Sequence, residues 1–534
     1  MKIIKAYLVL FLMFVFSSFE ALLAKEKSRP NIILILADDM GYSDIGCFGS
    51  EIHTPNIDKL ASSGVKLTQF YNSARCCPTR ASLLTGVYPH MAGIGWMTSD
   101  RQQPGYRGEL NNECVTIAQV LKSGGYSTYA SGKWHLTSET KYDGDKKNWP
   151  LQRGFDKYFG IIPGAANYFN PAGLTSGNDK ITAGNNFYLT DAIADTAVKF
   201  INRHSNEKKN DPFFMYVAFN APHWPLHAKP EDIKKYEDKY MSGWDEIRTQ
   251  RYEKQLKLGL LDSSVKLSLP DNEIPDWSSL SMEEKRLWAK RMAIYAAQID
   301  CMDQGIGRIL KELKKRKMTK NTLIVFLSDN GGCAEDIDSG QDKTLEALGS
   351  QQSYQSYRVN WANTSNTPFK LYKHYVHEGG ISSPFIASWP NVIKATQKVI
   401  STSANIIDIM PSFVEASGTP YPLMFKNTTI HPIAGKSLIG LFTGGKLEER
   451  PLFWEHEANR AIRYQNWKLV SKAKKRSPFV GVWELYDMTK DRSETMDLSK
   501  KYPKVVEDLA SMWDNWAKNN RVYPLRPPMA KKNE

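Results

Sequence analysis

Cysteine is scarce, with six residues in 534, so the fold does not rest on a dense disulfide framework. Internal repeats and low-complexity segments are absent, which sets aside solenoids and long linkers. The sequence also lacks a nucleic-acid-binding motif or a basic–aromatic stripe. Its formal charge of +13 therefore reads as solubility, and no nucleic acid is expected as a partner. No apolar run is long enough to cross a bilayer. The longest near the start, Ala6–Phe16, follows Lys2 and Lys5 and leads to Ala21–Ala24, the pattern of a secretory signal peptide over 1–24. The expected protein is exported, periplasmic or secreted, with no stable membrane insertion.

What is present is a run of buried-strand patterns, each ending in polar residues. Asn31–Ala37 (NIILILA) is continuously apolar, as a strand covered on both faces would be, and it runs into Asp38-Asp39. Phe213–Phe219 and Thr322–Leu327 repeat the pattern, and Val65–Tyr71, Tyr126–Ala130 and Ser383–Trp389 read as further strands. Helical spacing separates them near 54–64, 116–122, 188–204, 282–317 and 404–416, while 229–281 reads as an insertion with helical pieces. Strands alternating with helices predict an α/β fold with a mostly parallel sheet between helix layers. After about residue 446 the pattern becomes short strands and a final helix, which predicts a catalytic α/β domain over 25–446 and an antiparallel-sheet subdomain with a packed helix over 447–534.

The strand ends carry the chemistry. Adjacent carboxylates at Asp38-Asp39 repel unless a cation or donors hold them, although such a pair also suits a turn or helix cap. Thr322–Leu327 emerges at Ser328-Asp329-Asn330-Gly331-Gly332. Asp38, Asp39, Asp329 and Asn330 together supply oxygen ligands for a hard dication, calcium or magnesium. Lys133 and His135 alternate about Trp134, so an extended segment would aim both to one side, an anion site with a proton carrier. His223 stands just beyond a strand terminus, where open parallel sheets bind ligands. HxxxH at His223 and His227 invites a zinc reading, but Pro225 argues against a regular helix there.

The centre of the sequence is Ser73–Gly86, SARCCPTRASLLTG. Pro78 fits a first helical turn, which puts Cys76 at a helix N-terminus where negative charge is favoured. Arg80, one turn on, offers a planar fork suited to an oxyanion. Cys76, Pro78, Arg80 and the Leu84-Thr85-Gly86 ending resemble the signature of the type I sulfatases, in which that cysteine becomes formylglycine. GKWHL at Gly132–Leu136, PHMAGIGWM, APHWPLHA and WEHEANRAIR extend the likeness over nearly the whole mature chain, nearest to bacterial arylsulfatases.

The resemblance implies an alkaline-phosphatase-like fold and the hydrolysis of a sulfate monoester of a phenol or a sugar. One calcium would be held by Asp38, Asp39, Asp329, Asn330 and the modified Cys76. The catalytic set would be Cys76, Arg80, Lys133, His135, His223 and Lys373, with Arg80 among the groups that neutralise the sulfuryl oxygens. It also implies a formylglycine-generating enzyme as maturation partner and a substrate-shaping loop at Trp149–Gly160. Phosphonate or phosphate ester hydrolysis, or non-catalytic binding of sulfated glycans, are the alternatives. The strand ends offer too few histidines for a two-zinc phosphatase. Trp96, Tyr168, Trp224 and His374 are candidate pocket walls, each equally readable as loop packing.

Overall fold

The computed structural model describes residues 29–394, 398–475 and 479–528, so the leader expected over 1–24 lies outside the described residues. Eleven strands form one sheet: Asn31–Asp38 (β1), Val65–Tyr71 (β2), Ser127–Lys133 (β3), Lys157–Ile161 (β4), Leu174–Ser176 (β5), Asp179–Lys180 (β6), Phe213–Pro222 (β7), Thr322–Ser328 (β8), Ser382–Ser388 (β9), Lys398–Ile400 (β10) and Ala404–Asn405 (β11). Their order is β10-β2-β9-β8-β1-β7-β3-β4-β5-β6, with β11 also paired to β2. The run β8-β1-β7-β3-β4 is parallel, whereas β9 is antiparallel to both neighbours. The C-terminal ends of β1, β3, β7 and β8 therefore open on one edge.

Helices cover both faces, because every central strand is apolar on both sides. Ile33, Ile35 and Ala37 of β1 pack with Pro55–Ser62 (α1), Leu189–Glu207 (α4), the N-terminal part of Trp244–Lys257 (α5) and Met282–Lys315 (α6). The alternate residues Ile32, Leu34 and Leu36 pack with Cys76–Thr85 (α2), Ile117–Ser123 (α3) and Ile409–Ser417 (α7). Capping boxes start α3 at Thr116/Gln119 and α6 at Ser281/Glu284, each satisfying helix-end donors that would otherwise be orphaned.

The observed elements differ from the sequence reading in three places. The helix expected at 404–416 begins only at Ile409. Ala404–Asn405 pairs with β2 and the Asn405 side chain caps a short 3-10 turn before it. The segment Trp149–Gly160 is not simply a loop at the site, since Lys157–Ile161 is strand β4 and Trp149 is fully buried. Strand β3 runs on to Lys133 through Gly132 (φ 122°), where a Cβ would meet the Ala218 carbonyl at 1.8 Å, so only glycine allows β3 and β7 to approach there.

A second sheet, Leu452–His456 (β12), Asn459–Tyr464 (β13), Trp467–Ser471 (β14) and Glu484–Asp487 (β15), is antiparallel throughout. One face packs on Tyr71, Ala74, Val376 and Ile381 of the main body, the other on Pro503–Asn519 (α8) through Trp513 and Trp516. Trp454 donates its indole N–H to the Asn72 carbonyl at 2.8 Å, tying this sheet to the loop before α2.

Between the two sheets Lys468 is fully buried, 2.9 Å from Glu378 and 2.8 Å from Glu494. Removing that ammonium strands the buried Glu494 carboxylate and leaves Glu378 with Arg492 at 3.4 Å. Lys468→Met should therefore cost about 3–5 kcal/mol of stability, read as a lower urea midpoint at unchanged m-value.

Candidate active site

The acidic strand ends meet. Asp38 closes β1, and Asp39 follows with φ 64°, a left-handed conformation that aspartate tolerates better than most residues. The Asp39 N–H donates to Asp329 Oδ1 at 3.1 Å, and its Oδ1 accepts from Asn330 Nδ2 at 2.7 Å. Ser328 Oγ accepts from the Met40 N–H and donates to the Asn330 carbonyl, so the two strand ends are clamped together. Gly331 permits this, since a Cβ there would lie 1.8 Å from the Gly379 carbonyl.

Three cations surround the three carboxylates. Lys133 Nζ lies 2.6 Å from Asp38 Oδ2, and Lys373 Nζ lies 2.8 Å from Asp39 Oδ2. Arg80 is fully buried; its Nε and Nη2 donate to Asp329 Oδ2 at 3.2 and 2.8 Å, and Nη1 donates to the Lys133 carbonyl at 3.0 Å. Two buried acceptors of the cage have no partner among the described residues: Asp38 Oδ1 and Asn330 Oδ1. Buried oxygens are seldom left so, and these are the donor atoms of a hard-cation cage. Burial and neighbouring Asp329 push the Asp38 carboxyl well above its ordinary range, the behaviour of a carboxylate short of positive charge. Burial would raise Asp39 too, but the Lys373 ammonium 2.8 Å away outweighs it and holds that group low. The residues present thus fit a divalent metal.

Cys76 is the first residue of α2, with Pro78 in the first turn as the sequence predicts. Its thiol is held well below the usual range, first by a hydrogen bond from Cys77, then, against burial, by Lys133 and His135. His135 Nε2 sits 3.2 Å from Cys77 Sγ. Lys133 and His135 reach this spot without simple strand alternation, because β3 stops at Lys133 and His135 takes φ 57°. His223 Nδ1 donates to the Trp224 carbonyl at 2.6 Å, leaving Nε2 as the lone-pair nitrogen, 3.4 Å from both Asp39 Oδ2 and Lys373 Nζ. Burial lowers His223 to about 3, so its ring is neutral at ordinary pH. The ten residues that the sequence nominates for metal and catalysis therefore stand at one edge of one sheet.

A model of the sulfatase family matches residues 30–419, and one for the C-terminal part of N-sulphoglucosamine sulphohydrolase matches 369–519. The chain belongs to the sulfatase family. It is a sulfatase enzyme, with the alkaline-phosphatase-like α/β fold expected of one. It is similar to an uncharacterised sulfatase of Schizosaccharomyces pombe, 34% identical with 91% of this chain and 93% of that one covered. An arylsulfatase of Klebsiella aerogenes is likewise 34% identical, covering 78% of this chain and 92% of its own. Among solved structures, Ps i-CgsB in complex with k-i-k-neocarrahexaose superposes with a TM-score of 0.66 at 27% identity, covering 92% of this chain and 93% of that one.

In this sulfatase the Arg80 fork is engaged by Asp329 and the Lys133 carbonyl, which ties the cage together. His227 does not join His223, because its nitrogens face the Ser353 carbonyl and the Tyr168 N–H. Tyr168 is buried and donates to the carbonyls of Asn220 and His223, which is packing. All six cysteines are unpaired. Sequence reasoning missed Arg75 and Glu335. Arg75 Nη2 donates to Glu335 Oε1 at 2.8 Å, Trp224 Nε1 donates to Oε2 at 2.9 Å, and Lys373 Nζ lies 3.5 Å from Oε2. The charge of Arg75 beside Cys76 was a usable signal. Glu335, in an irregular loop, carried none.

Proposed function

We propose that this sulfatase hydrolyses a sulfate monoester to an alcohol and inorganic sulfate, with Cys76 oxidised to formylglycine and calcium held by Asp38, Asp39, Asp329, Asn330 and the modified side chain. The observation that carries the reading is the pair of orphaned oxygens, Asp38 Oδ1 and Asn330 Oδ1, in a cage shared with two lysines beside position 76. Hydrated formylglycine would supply a geminal diol as the nucleophile toward sulfur, and calcium a fixed positive charge beside it.

The chain's own residues do the rest. Three carboxylates and the cations of Lys133, Lys373 and Arg80 balance, so a bound dication leaves an excess positive charge that calls for an anion. Lys133 uses one of its three N–H bonds on Asp38, leaving donors for sulfuryl oxygens, and Lys373 does the same from the Asp39 side. Arg80 keeps Asp329 in place. Lys373 and His223, in contact through Nζ and Nε2, hold the proton for the departing oxygen. His135, neutral because burial lowers it, accepts the proton that must leave position 76 for sulfate to be released. The same reading includes export with loss of 1–24 and maturation by a formylglycine-generating enzyme. Among the described residues no helix is long and apolar enough to cross a membrane.

The test is direct. The peptide containing residue 76, from protein made in a host with maturation activity, should carry an aldehyde that captures a hydrazide probe, and that preparation should release inorganic sulfate from aryl or sugar sulfates. An intact thiol at residue 76 in fully active protein would sink the proposal.

A further inference from the structure

Beside the sulfuryl site lies a carboxylate that the reaction does not need. Glu335 is 30% exposed in its side chain, the most open acid among the groups that touch Lys373. Its Oε2 is occupied by Trp224 Nε1 at 2.9 Å and Cys333 Sγ at 3.2 Å, with Lys373 Nζ at 3.5 Å. Its Oε1 accepts only from Arg75 among the described residues. Trp224 packs its ring 4.5 Å from His223. His374, 31% exposed in its side chain, is tied to the Cys76 loop through its backbone N–H, which donates to the Ala74 carbonyl at 2.8 Å. Glu335 therefore stands beside Lys373, one of the two residues to which the proposed function gives the leaving group's proton.

We propose that Glu335, with Arg75, Trp224 and His374, forms a subsite for a hydroxyl-bearing sugar as the leaving group, in preference to an aryl group. Arg75 and Lys373 balance the Glu335 charge, and its Oε1, with one protein donor, keeps a lone pair for a donor from the substrate. A sugar hydroxyl beside the ester supplies such a donor, the Arg75 fork donates to sugar oxygens, and the Trp224 face covers the apolar side of a pyranose. A plain phenol offers Glu335 nothing, and the charged side chains that touch it, Arg75 and Lys373, are polar where an aryl ring wants apolar walls. A site built to bind a hydroxyl discriminates strongly against analogues lacking it, because its own polar groups are then left unpaired.

This inference rests on the sulfatase reading, and the experiment separates the two. Protein whose residue 76 carries the aldehyde is assayed for sulfate release from nitrophenyl sulfate and from a panel of monosulfated hexoses and N-acetylhexosamines, each with and without the hydroxyl next to the ester. The expected result is a kcat/KM for the best sugar at least about tenfold above nitrophenyl sulfate, and a drop of at least about a hundredfold when the adjacent hydroxyl is removed. Glu335→Ala should shrink the sugar-to-aryl ratio of kcat/KM by about 10–100-fold, a readout that mere loosening of the fold would not move. An unchanged ratio, or aryl turnover equal to that of every sugar, overturns the subsite. If Glu335→Ala does not fold, the hydroxyl comparison on the unaltered enzyme decides alone. No sulfate release from any substrate, with the aldehyde present, defeats the sulfatase reading itself.

Discussion

Cys76→Ala should lower the rate of sulfate release by about 10⁵-fold while the protein still folds. Removing a nucleophile on which the other groups act costs nearly all the catalysis they supply jointly, and such effects are not additive. The residual activity would come from the cationic pocket alone. The fold should survive because the change removes one small buried side chain, at a cost of about 1–2 kcal/mol, and Pro78 and Thr79 still organise the start of α2; Thr79 Oγ1 accepts the Ser73 N–H at 2.9 Å. Cys76→Ser is the sharper comparison. A serine can take sulfate once, but it has no second hydroxyl through which to expel it. A stoichiometric first turnover followed by arrest is expected in a burst assay. Undiminished steady-state hydrolysis by either variant would remove position 76 from the reaction.

Calcium should bind the chelator-treated protein and stabilise it by about 4 kcal/mol when the ion is a thousandfold above its Kd. Asn330→Ala is the cleanest probe of the site, because it removes a neutral ligand and leaves the balance of buried charges as it was. Its Oδ1 has no protein partner to lose, whereas its Nδ2 gives up bonds to Asp39 Oδ1 and the Gly331 carbonyl. A hundredfold weaker Kd would reduce the stabilisation at the same calcium concentration to about 1.4 kcal/mol. The measurement is the calcium-dependent shift of the thermal midpoint, with activity restored by added ion as a second readout. Equal shifts in the variant and the parent protein would place the ion elsewhere. Asp329→Ala should be more damaging and less informative, since it also takes the nearest carboxylate from the buried Arg80 guanidinium, leaving it Asp38 at 3.6 Å.

Much of the site was legible because a parallel sheet is a reading frame. A buried strand shows itself as an apolar run, and the polar residues that end it must lie at one edge if neighbouring strands are parallel. That is how Asp38-Asp39 and Asp329-Asn330 could be paired across 290 residues of chain before any coordinates. Proline chemistry, through Pro78, likewise placed Cys76 at a helix start. The antiparallel insertion of β9 between β2 and β8 was not legible, because strand direction leaves no mark in an apolar run such as Ser382–Ser388. Nor was the late start of α7, where tertiary pairing of Ala404–Asn405 with β2 overrode helical spacing.

The amino-acid sequence by itself determined the architecture class, the strand ends that carry the acids and the residue at the head of α2, because these follow from local periodicity and backbone chemistry. Tertiary structure alone decided what each charged side chain does. It set the Arg80 fork against Asp329 and the Lys133 carbonyl, and it brought Glu335 from an irregular loop to Arg75, Trp224 and Lys373. The reason is physical: a charge in a dry interior takes the partner that costs least to desolvate with it, and that partner is set by three-dimensional packing, not by position along the chain.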